Sequence, residues 1–388
     1  MARVKRILIG GVPYGYGNLG DEAILACIVE GCRQVCPEVE ITVLTGKPSE
    51  TEECLKVRAV PLRLGNGRGE FAWSRDLLHA FWENDLFILG GANGLSECPQ
   101  MPLKMVGMAK LLGKKVMLYG VGLDSIRHQF LPNRPWKRRL CRAADTLLGR
   151  PGRFQSLYED ARTGLIRWCL RVVCNRVDLI SVRDAESAAL LREYGVQTLP
   201  LHVTADPALL LDGEADNHPA GALALLERKD LIGVGISGEQ APPPPAQKAI
   251  AQVLDYLVQK YRVRILFIPI NPYTDPVLMG EIRDYMEERQ EAEILMGQFT
   301  PEKLLPILRQ TDLIISSRLH LLVMAFVCNV PCVGLSRGRK MKIDKFLHRL
   351  GLEAVGDVRE IDASRLRQAC EQTWLDRTRI RDPMRELL

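Results

Sequence analysis

Three short stretches bring together residue types that act on charged small molecules. Gly15 to Glu22 reads GYGNLGDE, Ser181 to Asp184 reads SVRD, and Ser316 to His320 reads SSRLH. Each follows an apolar run that has the length of a buried strand. In SSRLH the strand breaks at Ser316-Ser317, and Arg318 and His320 open an apolar helix. An anion there meets both side-chain charge and helix dipole. Arg183 stands at a strand end in the same way, with Asp184 as the expected helix N-cap. Two arginines at strand ends of opposing domains predict a bifurcated anion clamp.

The first stretch matches G-x-G-x-x-G between a strand and a helix, the dinucleotide fingerprint. That site needs a carboxylate about 20 residues on, at the end of the second strand. Here the second strand ends VLTGKP and carries no acid. A P-loop fails too, because Asp21 and Glu22 stand where Lys-Ser/Thr belongs. Two carboxylates after the glycines repel a pyrophosphate, yet in a first helical turn they favour the dipole by ~0.3–1 kcal/mol each. The residues leave two readings, a substrate-facing loop involving Gly17, Asn18 and Gly20, which is favoured, and a purely structural turn. Asn18 fits either, since asparagine tolerates turn conformations.

The elements that position these stretches follow from the apolar pattern. Short apolar runs alternate with helix-like segments in both halves of the 388-residue chain, the signature of βαβ units in a parallel sheet. In the first half the pattern gives RILIGG, a helix from Asp21, ITVLTG, a helix near Trp73, LFILGG, a helix through Lys110 and KVMLYGVG. Apolar periodicity lapses over residues 212–222, which places a boundary there. The expected architecture is α/β: two Rossmann-like domains facing a cleft, as in GT-B glycosyltransferases. Residues 1–215 form the first domain, with a basic helical insertion over about 127–163. Residues 222–388 form the second and end in helices.

Composition narrows the function classes. The hydrophobic content of 47% with 26% charged residues describes a globular protein with ample core. A net charge of +5 is too small to imply a nucleic-acid partner. Eleven cysteines without a CxxC pair read as mostly buried free thiols and favour a reducing cytoplasm. The N-terminal MARVKRILIGGV reads as a first strand and not a signal peptide. No run of about 18 apolar residues is present to span a bilayer, and no cluster has metal-ligand spacing, so neither a membrane span nor a metal is expected.

The three stretches together resemble the polysaccharide pyruvyl transferases of the CsaB type. GYGNLGDEAIL resembles that family's N-terminal motif, LISVRDAESAALLREYGV its central motif, and DLIISSRLHLLVMAF its S-R-L-H motif, in order over about 330 residues. The resemblance implies transfer of a pyruvyl group from phosphoenolpyruvate to a sugar of a cell-surface glycan, forming a ketal, with phosphoenolpyruvate as donor substrate and no cofactor. It implies Arg183 and Arg318 as ligands of the donor, which carries a phosphate and a carboxylate. His320 is implied as acid or phosphate ligand, and Asp21 or Glu22 as the group serving the acceptor.

The chain departs from the family pattern in two places. After the third apolar run it has Gly90-Gly91-Ala92-Asn93-Gly94 in place of three glycines and a Gln-Asp pair, so Gly90 and Gly91 are the expected substrate-loop residues. Past S-R-L-H it keeps a lysine, Lys342, but has Arg339 where the family has tyrosine. Asp206-Pro207 resembles a family element, and Asp before Pro also reads as an ordinary turn.

Between Arg127 and Arg153 stand eight Lys/Arg against one acid, Asp145, interleaved with Phe130, Trp136, Leu140, Leu147 and Leu148. Such a segment can lie on an anionic membrane surface and would suit a lipid-linked saccharide acceptor; the plainer reading is a solvated helical excursion. The expected location is therefore the cytoplasm, peripheral at the inner membrane face. A nucleotide-sugar glycosyltransferase of the same two-domain fold is the alternative function, since fold does not fix function.

Overall fold

The computed structural model describes residues 4–65, 70–92, 94–126, 135–147, 152–197, 200–212, 230–297, 299–336 and 342–386. The chain forms two compact units. The first contains residues 1–16 and 24–207, and the second residues 17–23 and 208–388. The expected boundary at 212–222 lies outside the described residues apart from Asp212, as do residues 127–134 and 148–151 of the expected insertion. The assignment of 1–215 to one domain differs from this division at residues 17–23 and from Ala208 onward. Residues 17–23 join the second unit through the bonds described below.

The first unit is a seven-stranded parallel sheet. Its strands are β1 (Arg6–Gly10), β2 (Glu40–Thr45), β3 (Arg58–Pro61), β4 (Leu86–Gly90), β5 (Lys115–Val121), β6 (Leu179–Val182) and β7 (Leu201–Val203), in the spatial order β3-β2-β1-β4-β5-β6-β7. The connecting helices are α1 (Leu19–Val35), α2 (Pro48–Leu55), α3 (Arg75–Glu83), α4 (Gly94–Glu97), α5 (Gln100–Leu111), α6 (Pro135–Leu147), α7 (Arg153–Cys174) and α8 (Ala185–Glu193). β1 and β4 are continuous apolar runs, buried except at their first residues, as expected of strands covered on both faces. The sequence reading passed over α2 and β3. β3 is the four-residue edge strand RAVP, half of it exposed, and so lacks the apolar run that marks a central strand.

The second unit repeats the design with five parallel strands. They are β8 (Leu231–Gly235), β9 (Arg264–Phe267), β10 (Ala292–Ile294), β11 (Leu313–Ser316) and β12 (Cys332–Gly334), in the order β10-β9-β8-β11-β12. Its helices are α9 (Pro244–Tyr261), α10 (Asp275–Tyr285), α11 (Pro301–Leu308), α12 (Leu319–Val327), α13 (Lys342–Arg349), α14 (Ala363–Leu375) and α15 (Arg377–Glu386). The core gathers Ile232, Val234, Ile265, Phe267 and Leu313 of the sheet against Leu254, Leu278 and Trp374 of α9, α10 and α14. α12 is apolar all round and buried from Leu321 to Phe326, as a helix central to its unit must be.

All eleven cysteines are free, but only Cys27, Cys174, Cys332 and Cys370 are buried, fewer than expected. Burial alone pushes the Cys174 and Cys332 thiols up to about 12, so neither is a nucleophile near neutral pH.

In each sheet the strand order reverses once, between β1 and β4 and between β8 and β11. Ligands of open α/β sheets bind beyond the carboxyl ends of the strands at this reversal.

Candidate active site

The reversal in the second unit is built from Gly235, Ser237 and Ser316 to Arg318. β11 breaks where Ser316 Oγ turns back to donate to the Gly235 carbonyl (2.9 Å) and accepts the Arg318 N–H (2.8 Å). Ser317 N–H donates to the Gly235 carbonyl (2.9 Å), and its Oγ accepts the Ser237 N–H (3.0 Å). These bonds tie the ends of β8 and β11 together and aim the chain into α12 with Arg318 at the N-cap.

Arg318 is 7% exposed and its guanidinium is engaged by carboxylates. Nε donates to Asp275 Oδ2 (3.1 Å), Nη2 to Asp275 Oδ1 (2.5 Å) and Nη1 to Glu239 Oε1 (3.1 Å). Burial opposes the charge, but the Asp275 and Glu239 carboxylates more than offset it and hold the pKa above its ordinary value. Three of five N–H groups are thereby committed.

Asp275 is fully buried. Besides Arg318 it accepts the N–H groups of Gly238 (2.8 Å), Ile270 (3.1 Å) and Asn271 (2.9 Å). One carboxylate thus fixes the loops after β8 and β9 and the start of α12.

The GYGNLGDE stretch joins this cluster, which is why residues 17–23 belong to the second unit. Leu19 N–H donates to the Ile270 carbonyl (3.0 Å). Asn18 opens α1: its Oδ1 accepts the Gly20 N–H (3.2 Å), its carbonyl accepts the N–H groups of Asp21 (3.0 Å) and Glu22 (3.2 Å), and its Nδ2 donates to Asp21 Oδ2 (2.8 Å). A Cβ on Gly20 would lie 2.0 Å from Nδ1 and 2.4 Å from Cγ of His320. Only glycine lets the start of α1 close on the imidazole. Gly17 has φ +84°, and a Cβ there would meet the Tyr273 ring at 2.7 Å. Gly17 and Gly20 of the dinucleotide-like spacing thus pack against Tyr273 and His320, while a Cβ on Gly15 would meet Thr45 Oγ1 at 2.3 Å.

The starts of α1, α10 and α12 meet through these bonds. α1 carries Asp21 and Glu22 in its first turn and α10 carries Asp275. α12 has neither an acid in its first turn nor a side-chain cap, so its positive end is suited to an anion from outside the chain.

Of the other expected residues, Arg183, Gly90 and Gly91 belong to the first unit and Lys342 to the second. Arg183 lies in the first unit after β6, buried, with Nη1 donating to Asp206 Oδ2 (3.0 Å) and Nε 3.7 Å from Asp184 Oδ2. Asp184 caps α8, accepting the Ser187 N–H (2.7 Å) and hydroxyl (2.6 Å). Gly90 ends β4, where Tyr14 Oη donates to its carbonyl (2.7 Å), and a Cβ would meet Ile28 at 2.4 Å. Gly91 has φ +62°, and a Cβ there would meet Ile24 at 2.3 Å. Packing in the first unit accounts for both glycines. Lys342 opens α13; Asn93 and Arg339 lie outside the described residues.

The sequence reading missed Asp275 and Glu239, and it read Asp206-Pro207 mainly as a turn. The signal was an aspartate before proline beyond an apolar strand, in TADP and in YTDP.

No curated protein matches the chain in sequence. Solved structures of GT-B enzymes are similar to it in fold, and the chain has two parallel-sheet α/β units of that class. They include the MnaA–UDP co-structure from S. aureus (12% identity, TM-score 0.62, covering 98% of this chain and 90% of that one). The UDP-GlcNAc 2-epimerase of Neisseria meningitidis bound to UDP-GlcNAc is similar at 10% identity and TM-score 0.60, covering 98% and 93%. The ADP-heptose LPS heptosyltransferase II of E. coli is similar at 14% identity and TM-score 0.50, covering 96% and 99%. At these identities the likeness is one of fold. Residues 18–339 match the family model of polysaccharide pyruvyl transferases, a span that begins at Asn18 and includes the Asp275–Arg318 cluster and His320; the chain belongs to the polysaccharide pyruvyl transferase family.

Proposed function

We propose that this protein transfers the pyruvyl group of phosphoenolpyruvate to two hydroxyls of one sugar in a cell-surface or cell-wall glycan. C3 of the donor gains a proton and becomes a methyl group, and the two sugar oxygens bond to C2. The phosphate leaves and takes up the second hydroxyl proton. Nothing is oxidised or reduced, so the reaction as written calls for no cofactor. The acceptor is a free or lipid-linked saccharide in the cytoplasm.

The start of α12 seats the donor's phosphate or carboxylate, with His320 beside it. Arg318 is a positioning residue here, because its ion pair with Asp275 orients that helix start, and its two remaining N–H groups add to the anion's seat. His320 protonates C3, and Asp21 or Glu22 takes a hydroxyl proton from the sugar. The observation that carries this reading is the closure of Gly20 on His320. It sets the carboxylates at the start of α1 on the same helix turn that packs against the imidazole.

The test is phosphate release from phosphoenolpyruvate in the presence of saccharide acceptors, with ketal formation followed by mass spectrometry. General acid catalysis contributes about 10²–10⁴-fold, so His320→Asn lowers kcat by that order and leaves the donor's KM little changed. Equal loss in kcat and in donor affinity would make His320 a phosphate ligand only. A protein that leaves phosphoenolpyruvate intact and releases nucleotide from a nucleotide sugar would be the glycosyltransferase that its fold also permits.

A further inference from the structure

We infer that the helical hairpin α6–α7 is a docking surface for an anionic lipid bilayer. The inference stands on that hairpin alone and is independent of the reaction proposed above.

α7 carries two apolar faces. Ile166, Leu170 and Cys174 are buried in the core of the first unit. On the opposite side Leu157, Ala161, Leu165, Trp168 and Val172 recur at helical spacing, and Leu157 (55%), Leu165 (58%) and Trp168 (53%) are exposed. A helix whose core face is already buried gains nothing for folding from a second such stripe. On α6, Leu140 and Leu147 extend the exposed apolar area.

Charge selects the occupant. Residues 135–176 hold ten of the chain's 52 Lys and Arg and three of its 47 Asp and Glu, leaving 42 basic against 44 acidic residues elsewhere. The whole positive excess of the sequence therefore falls within residues 135–176. At about 100° per residue, Arg153 and Arg171 border the α7 stripe on one side and Arg162 on the other, while Arg139 and Arg142 are exposed on α6. Of the three acids, Asp145 is buried and caps α7 by accepting the Phe154 N–H (2.8 Å). Glu159 lies on the side away from the stripe, and Asp160 borders it.

An apolar stripe containing Trp and Leu with arginines at its margins is the pattern of a helix lying in a lipid interface, its apolar side among the acyl chains and its cations at anionic headgroups. A second copy of this chain would bring like charges face to face, which costs binding energy.

The test is flotation of the full chain with vesicles of phosphatidylcholine alone and of phosphatidylcholine mixed with phosphatidylglycerol. The protein is expected to float with the anionic vesicles only, and less so as salt rises. Replacing Arg139, Arg142, Arg153 and Arg171 by Gln lowers the partition coefficient by roughly fivefold per charge. Leu165→Gln with Trp168→Gln lowers it by roughly tenfold or more per side chain, whereas Trp168→Phe retains it. All sites are exposed, and circular dichroism checks that each variant is folded. Failure of the parent to float with anionic vesicles overturns the inference, as does flotation unchanged in both variant sets. A parent dimer that Leu165→Gln with Trp168→Gln dissociates also overturns it, because a second copy would then cover the face.

Discussion

Arg183 and Arg318 share a sequence setting: an apolar strand, then serine within two residues, then arginine. Each is paired with an aspartate that precedes a proline, Asp206-Pro207 in the first unit and Asp275-Pro276 in the second. Their places in the sheets differ. Arg318 follows β11 at the strand reversal, whereas Arg183 follows β6, two strands beyond the β1/β4 reversal. Their partners differ as well. Asp275 accepts from three backbone N–H groups in addition to Arg318; each arginine has a second carboxylate, the half-exposed Glu239 at 3.1 Å for Arg318 and the buried Asp184 at 3.7 Å for Arg183. A strand-end arginine is therefore not by itself a mark of the strand reversal. The Arg318 cluster ties the loops after β8 and β9 to the start of α12, whereas the Arg183 cluster joins the start of α8 to the segment after β7.

The largest expected effect comes from removing the two aspartates. Asp275→Ala leaves buried Arg318 with only the half-exposed Glu239 carboxylate as countercharge and strips three backbone donors of their acceptor. Breaking a buried pair in this way costs about 3–5 kcal/mol, which lowers the midpoint of thermal unfolding by roughly 10 °C. Asp206→Ala leaves Asp184 near Arg183 as a countercharge, so its cost should lie nearer 1–3 kcal/mol, the range for one unsatisfied buried partner. Calorimetry of both variants decides the matter. Equal losses would mean that the two clusters are equivalent.

Next come two glycines, one in each unit. Gly20→Ala forces a methyl group onto the His320 ring, and a displacement of about 1 Å at a reacting group can cost 10²-fold in rate. Gly90→Ala drives its methyl into Ile28 and the Tyr14 hydroxyl, an overpacking cost of about 1–3 kcal/mol in stability. Phosphate release from phosphoenolpyruvate, measured beside chemical denaturation, should separate them: activity is lost first in Gly20→Ala, stability first in Gly90→Ala. If Gly20→Ala kept the parental kcat/KM, the closure of α1 on His320 would be packing and nothing more.

The contrast also shows what could be read without coordinates. β1, β4, β8 and β11 were legible because they are short apolar runs followed by polar breaks. The N-cap Asp184 could be placed because side-chain oxygen before a helical pattern has few other uses, whereas Asn18 reads as a turn or loop residue, and its place at the start of α1 could not be read. β3 was not legible, since its register is set by pairing with β2 and not by its own composition. The roles of Asp275 and Glu239 were hidden for a related reason. Each lies dozens of residues from Arg318 in sequence, and a spacing rule within one segment cannot see a partner brought in by strand order. The two apolar faces of α7 recur at helical spacing, but the sequence reading drew only a basic helical segment there, and which face the core takes required the packed sheet.

The smallest expected effect concerns exposed pairs at helix surfaces. In the second unit, Glu371 of α14 receives hydrogen bonds from Lys260, Tyr256 and Tyr261 of α9. Hydrogen bonds from Lys260 first and Tyr256 next hold its carboxyl down from 4.5 to about 2. A pKa lowered in the folded state stabilises fully above the unfolded value, so this contribution is complete above pH 4.5 and fades as pH falls toward 2. In the first unit, Glu83 is held low mainly by its hydrogen bond from Arg58, without the two added hydroxyl donors. Denaturant titrations at a series of acidic pH values should show Glu371→Gln flattening the decline of stability in that window more than Glu83→Gln does, and added salt should shrink both differences because the groups face solvent. An equal flattening in the two variants would show that the tyrosine hydroxyls add nothing to the α9–α14 contact beyond what a single exposed ion pair supplies.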